Sequence, residues 1–83
     1  MKIRYFAWVR ERTGIEEEDI DPPSHVKTVG DLISWLAERD EGYASAFEVP
    51  EIIRAARDQT HVSHDTPIAG TREIALFPPM TGG

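Results

Sequence analysis

The chain contains no cysteine among its 83 residues. That absence excludes disulfides, thiolate-ligated zinc and a cysteine nucleophile together. It also means that no side chain can hold sulfur as a persulfide. Lysine is nearly absent too: two lysines and seven arginines face fifteen carboxylates, for a net charge of −6. Nucleic-acid binding depends on neutralising phosphates with lysine and arginine, so no nucleic-acid partner is expected. An acidic domain suits a partner with a basic groove instead. No apolar run approaches the ~20 residues of a membrane span, and "MKIRYFAWV" is too short and too charged for a signal peptide. A cytoplasmic protein without a membrane partner is expected. One domain is expected from this length, burying only about 60–65% of the surface its unfolded chain exposes. Little protein is left over for a catalytic cleft.

What is present is patterned. From Lys2 to Val9, Ile3, Tyr5, Ala7 and Val9 alternate with Arg4, Phe6 and Trp8, a period of two that predicts a strand. "RERTG" reads as the following turn, with Gly14 in it. A second strand is expected near Glu17 to Asp21, stopped by Pro22-Pro23, which cannot continue a ladder. "TVGDLISWLAERD" predicts a helix over Thr28–Asp40. Thr28 is a good N-cap, Asp31 three residues later resembles a capping box with a shorter acid, and Val29, Leu32, Ile33 and Leu36 form one apolar stripe. Gly42 reads as its end. "YASAFEVPE" suggests a short helical turn, "EIIRAAR" and "THVS" short strands around Asp58-Gln59, and "REIALF" the final strand. Antiparallel hairpins with one helix on one face give an α+β roll. A β-grasp satisfies this order, with the first and last strands side by side at the sheet centre.

The chain closes on "PPMTGG". Gly82 and Gly83 lack a Cβ, so their backbone enters channels too narrow for any other residue. Pro78-Pro79 stiffens the segment before them. The six residues beyond Phe77 reach about 20 Å at ~3.3 Å each, an arm suited to inserting its end into another protein. A free carboxylate is ionised, with a reference pKa of about 3.5, and is a poor electrophile. It must be activated before it transfers anything, most simply as an acyl-adenylate. Sulfide attack on that mixed anhydride yields a thiocarboxylate. The bland alternative is a frayed, glycine-rich end.

"ALFPPMTGG" resembles the C-terminus of the MoaD-type sulfur carriers, small subunits of molybdopterin synthase that share the β-grasp fold with ubiquitin. "IRYFAWVRERTG" is similar to the family's first strand and turn, "TVGDLISWL" to its helix, and "DQTHVSHDTPI" to its penultimate strand and loop. The resemblance implies a β-grasp domain over residues 1–77, with a mixed sheet and one main helix, and a flexible di-glycine tail over residues 78–83. It implies that Gly83 is adenylated by an E1-like, MoeB-type adenylyltransferase that uses ATP, and becomes a thiocarboxylate. The carrier would then dock with a MoaE-type large subunit and donate sulfur to cyclic pyranopterin monophosphate, building the molybdopterin dithiolene. Gly82 would let the tail pass into both active sites. The chain would bind no cofactor or metal and would not be catalytic alone. Two positions depart from the family pattern. Gly70-Thr71-Arg72-Glu73 stands where Gly-Asp-Glu is usual, and His61 stands where an aliphatic residue is preferred.

Other features carry competing readings. Phe6 and Phe77 lie out of phase with the core alternation, on the face opposite the helix, and Trp8 shares that phase. Such an aromatic patch marks either a partner site or a small second core. The resemblance favours docking through Phe6, His61 and Phe77, with Pro78, Pro79, Met80 and Thr81 lying in the partner. Arg10 and Arg12 read as solvated turn charges, the Glu16–Asp19 acidic run as a solvated strand, and Trp35 as helix-edge packing. His61-x-x-His64 falls on opposite sides of a strand and lacks a third ligand, which argues against metal. A ubiquitin-like protein modifier, and a carrier serving tRNA thiolation or thiamine synthesis, share the same first step. "FPPMTGG" and the chain length favour the molybdopterin reading.

Overall fold

Ile3 and Tyr5 are fully buried while Lys2 and Arg4 are only half so, the alternation that a sheet with one covered face imposes. The computed structural model describes residues Met1 to Pro79 and makes this segment β1 (Lys2–Tyr5). β2 (Glu17–Asp19) runs antiparallel beside it, with Ile3 opposite Glu18. On its other side lies β5 (Glu73–Phe77), parallel, with Ile3 opposite Ile74 and Tyr5 opposite Leu76. β3 (Arg54–Arg57) pairs antiparallel with β5, and β4 (Thr60–Val62) pairs antiparallel with β3. The sheet order is β2-β1-β5-β3-β4, mixed, with the first and last strands adjacent as the order of elements predicts. Asp58 and Gln59 turn the β3–β4 hairpin with φ of 46° and 72°, the left-handed pair that a two-residue loop favours.

Between β1 and β2 the chain departs from the expected pattern. The strand predicted to run to Val9 stops at Tyr5, and Ala7–Thr13 is a helix, α1. Ala7 turns the chain with a φ of 52°, and Val9 becomes the fully buried residue of the helix. Gly14 is its left-handed C-cap (φ 84°), its amide bonded to the Arg10 carbonyl at 2.9 Å. Arg10 and Arg12 therefore belong to a last helical turn, where cations meet the negative end of the dipole. Trp8 leaves the open sheet face altogether. It packs partly buried against the core, with the Arg12 guanidinium 4.5 Å from its ring centroid.

The longest helix, α2 (Val29–Ala37), has the expected capping box. Thr28 Oγ1 accepts from the Asp31 amide at 3.1 Å, and the Asp31 carboxylate accepts from the Thr28 amide at 3.2 Å. Val29, Leu32, Ile33 and Leu36 are all buried and meet Ile3, Tyr5, Ile74 and Leu76 in a single core. Trp35 packs at its edge. The helix ends at Ala37 rather than at Gly42, because Asp40 starts a new one: its carboxylate caps α3 (Glu41–Ala46) by accepting from the Tyr43 amide at 3.1 Å. Gly42 instead allows α1 and α3 to approach, since a Cβ there would lie 2.6 Å from the Arg12 carbonyl oxygen. A 3-10 turn (Pro50–Ile52) leads into β3. The Gly70–Arg72 departure falls in the turn before β5, where Asp58 Oδ1 accepts from the Arg72 and Glu73 amides at 3.1 and 3.0 Å.

Candidate functional site

All three helices bury their apolar sides against one face of the sheet, so the side chains of the other face define the surface open to partners. Because β1 and β5 run parallel, their C-terminal ends lie together. The Phe6 amide, just past β1, donates to the Leu76 carbonyl at 3.2 Å. β3 runs the other way and begins at this same end, placing Arg54 opposite Phe77. The ladder ends at Phe77, and Pro78 and Pro79 follow, half-buried, outside regular structure. Phe6, Phe77 and the root of the tail thus share one end of the open face.

His61 of β4 lies edge-on to Phe77, ring centroids 5.3 Å apart at 66°. Strand register accounts for this: His61 pairs with Ala56, and Ala56 with Ala75, two residues before Phe77 on the same face. Arg4 completes the row by pairing with Ala75 from the other side, its guanidinium 5.2 Å from the Phe6 ring centroid. Glu73 and Glu17 hold Arg4 at 3.8 and 4.0 Å, and its buried Nε has no hydrogen-bond partner among the described residues. His64 serves elsewhere, its Nε2 lying 2.6 Å from the Ile53 carbonyl oxygen. The two histidines of the His-x-x-His pair therefore have separate partners. Among the described residues no group of three or more His, Cys, Asp or Glu is placed to hold a metal ion.

Of the residues singled out in the sequence, Phe6, His61, Phe77, Pro78 and Pro79 lie at this end of the face or beside it. Met80, Thr81, Gly82 and Gly83 lie outside the described residues. Sequence reasoning missed Arg4, Arg54, Ala56 and Ala75. Their place on the face depends on which strands pair and in what register, which periodicity within one strand does not carry. Two exposed aliphatic residues, Val49 and Ile52, bracket the turn into β3 and were also missed.

A second polar cluster lies under the opposite face. Glu18 accepts hydrogen bonds from the Tyr43 hydroxyl at 2.7 Å, the Tyr5 hydroxyl at 2.8 Å and Arg39 at 2.9 Å. Partial burial alone would raise the Glu18 carboxyl, but these three donors outweigh it and hold it below its ordinary value. Burial, reinforced by the bond to Glu18, raises the Tyr5 hydroxyl and pushes Tyr43 up to about 12. With each group bonded within the cluster, its role is to tie β2 to β1 and α3 rather than to do chemistry. Among the described residues the open face likewise carries no nucleophile–base pair.

Comparison with known proteins places this fold among relatives. The chain is 36% identical to the molybdopterin synthase sulfur carrier subunit of Escherichia coli over 83 residues, 100% of this chain and 99% of that one. It is 28% identical to the protein of the same name from Haemophilus influenzae, again over 100% and 99%. Among solved structures it is similar to SAMP1 of Haloferax volcanii, a small archaeal modifier protein (27% identity, TM-score 0.72, 100% of this chain and 98% of that one). It is also similar to a Pyrococcus furiosus chain described as subunit 1 of a molybdopterin converting factor (26% identity, TM-score 0.74, 95% of each). These are ubiquitin-like folds, and the mixed five-stranded sheet with its packed helices is the same architecture. The ThiS family model matches residues 3–83, through the last two glycines, and the chain belongs to the ThiS family.

Proposed function

We propose that the chain is the sulfur-carrier subunit of a molybdopterin synthase, with residues 1–77 as the docking domain and residues 78–83 as the arm that carries the reacting carbon. The observation that carries this reading is full-length similarity, through Gly83, to a sulfur carrier subunit of that enzyme. The absence of cysteine supports it, because sulfur then has only the C-terminal carbon to ride on. An E1-like adenylyltransferase joins the Gly83 carboxylate to AMP, releasing pyrophosphate from ATP. Sulfide then attacks the carbonyl carbon, the bond to AMP breaks, and a thiocarboxylate remains. The carrier docks with the large synthase subunit, the thiocarboxylate sulfur bonds to the pterin precursor, and water attacks the Gly83 carbonyl carbon, breaking its bond to sulfur and restoring the carboxylate. The chain supplies placement and the carbon that carries sulfur; catalytic groups and ATP belong to its partners. It binds no cofactor of its own, works in the cytoplasm, and meets neither nucleic acid nor membrane. Its net charge of −6 supports the absence of a phosphate-binding surface, and no helix among the described residues is long and apolar enough to cross a membrane.

Protein modification is the second reading, favoured by the likeness to the small archaeal modifier protein. Both readings begin with adenylation and diverge at the acceptor. Intact mass spectrometry of protein isolated from its own host decides between them. The carrier reading expects a species heavier by the difference between sulfur and oxygen, discharged on incubation with large subunit and precursor. Finding the chain only in amide linkage to lysines of other proteins would reject it.

A further inference from the structure

We infer that the end of the open sheet face nearest the tail seats a partner surface carrying a carboxylate opposite Arg54. This rests on the carrier reading and names the chemistry that the large subunit presents. Register places three rows of side chains across the open face. The row furthest from the tail holds Asp19, Lys2 and Glu73. The next holds Glu17, Arg4, Ala75, Ala56 and His61. The row at the tail end pairs Phe77 with Arg54.

Charge is matched away from the tail and unmatched near it. Lys2 lies 3.3 Å from Glu17, and Arg4 lies 4.0 and 3.8 Å from Glu17 and Glu73. Arg54 is exposed and makes no ion pair among the described residues. A protein of net charge −6 therefore shows an uncompensated cation beside Phe77, one residue before the prolines. Covering Phe77 removes water from Arg54 as well, and that is unfavourable unless the partner supplies an acceptor. A carboxylate meets the planar guanidinium with two parallel hydrogen bonds, fixing orientation where apolar contact alone does not. Most of the acidic surface suits a basic neighbour; this end of the face asks for the opposite charge.

Titration calorimetry with the purified large subunit of molybdopterin synthase tests the inference, in buffers of about 0.05 and about 0.3 M salt. Arg54→Glu is expected to weaken binding about tenfold or more at low salt and by less at high salt, and Arg54→Gln by a smaller factor. Phe77→Ala is expected to weaken binding at both salt concentrations. Melting curves accompany each variant, and Arg54→Gln decides if Arg54→Glu proves unstable. Parent-like affinity in both Arg54 variants beside a weakened Phe77→Ala would overturn the acidic partner while leaving the docking face standing. Parent-like affinity in all three variants would move docking off this face altogether. A mass spectrum without thiocarboxylate would remove the carrier reading beneath both.

Discussion

The Glu18 carboxylate accepts three hydrogen bonds on the covered side of an edge strand, and its energetics can be read from its neighbours. Two phenols and a guanidinium satisfy it better than water does, so it binds its proton less readily folded than unfolded. The sign follows: its stabilising contribution is full above the ordinary carboxylate value of about 4.3 and is lost as pH falls below it. Tyr5 and Tyr43 behave oppositely. Their hydroxyls are raised when folded, so their contribution is full below about 10 and is lost as pH climbs above that. Glu18→Gln is expected to cost about 1–3 kcal/mol near neutral pH, by leaving a hydroxyl or the guanidinium without its acceptor. It should also flatten the fall in stability between about pH 5 and pH 3. Urea melts across that range check both. An acid limb as steep in the variant as in the parent would assign the loss to other carboxylates.

Helices α1 and α3 meet at Gly42, where an added Cβ would sit 2.6 Å from the backbone oxygen of Arg12. A backbone atom cannot swing aside, so Gly42→Ala is expected to push the helices apart at a cost of about 1–3 kcal/mol. Arg12 adds a tie at the same junction, donating to the Ser45 carbonyl at 2.9 Å. Gly14 makes a useful comparison: open space surrounds it, but its φ is +84°. Gly14→Ala is therefore expected to cost only the left-handed strain, about 1–2 kcal/mol, without loosening α1 from α3. Denaturant melts give the two costs, and the accessibility of Trp8 to an aqueous quencher separates the mechanisms. Increased quenching in Gly14→Ala but not in Gly42→Ala would reverse this assignment. The same junction shows what the sequence did and did not carry. α2 was legible because its cap and its apolar stripe agree with each other. The two short strands around Asp58-Gln59 and the central pairing of β1 with β5 were legible from the order of the elements and from the two most apolar strands. α1 was not, because Ala7 and Val9 continue the alternation of β1 by coincidence and a φ of 52° at an alanine leaves no mark in composition. Its one signal was Gly14 after Arg10 and Arg12, which reads equally as a turn. At the candidate site, Phe77 and His61 were singled out from strand phase and family likeness, whereas the place of Arg54 beside Phe77 needed the register.

On the scale of the whole molecule, the proposed carrier assigns folding and transfer to different parts of the chain. Every residue of the buried core lies between Ile3 and Leu76 among the described residues, and the last ladder pairing is Arg54 with Phe77. Deleting Gly83, or adding a residue after it, is therefore expected to leave the melting temperature nearly unchanged. Sulfur transfer should nevertheless be lost. Removing Gly83 withdraws the reacting carbon by one residue, about 3.3 Å in an extended chain, while a displacement of 1 Å in a reacting geometry can cost about 10²-fold in rate. The deletion also offers a different carboxylate to the adenylating enzyme. Gly82→Val is expected to block transfer by another route, since a β-branched side chain cannot follow glycine through a narrow channel. Docking should survive in all three variants, because the open face around Phe77 and Arg54 is untouched. Three measurements separate these effects: a melting curve, the affinity for the large subunit, and molybdopterin formation from precursor with purified partners. Loss of transfer with stability and affinity retained is the expected pattern. Full transfer by the Gly83 deletion would show that the terminal carboxylate is not where the sulfur rides, and the carrier reading would fall with it.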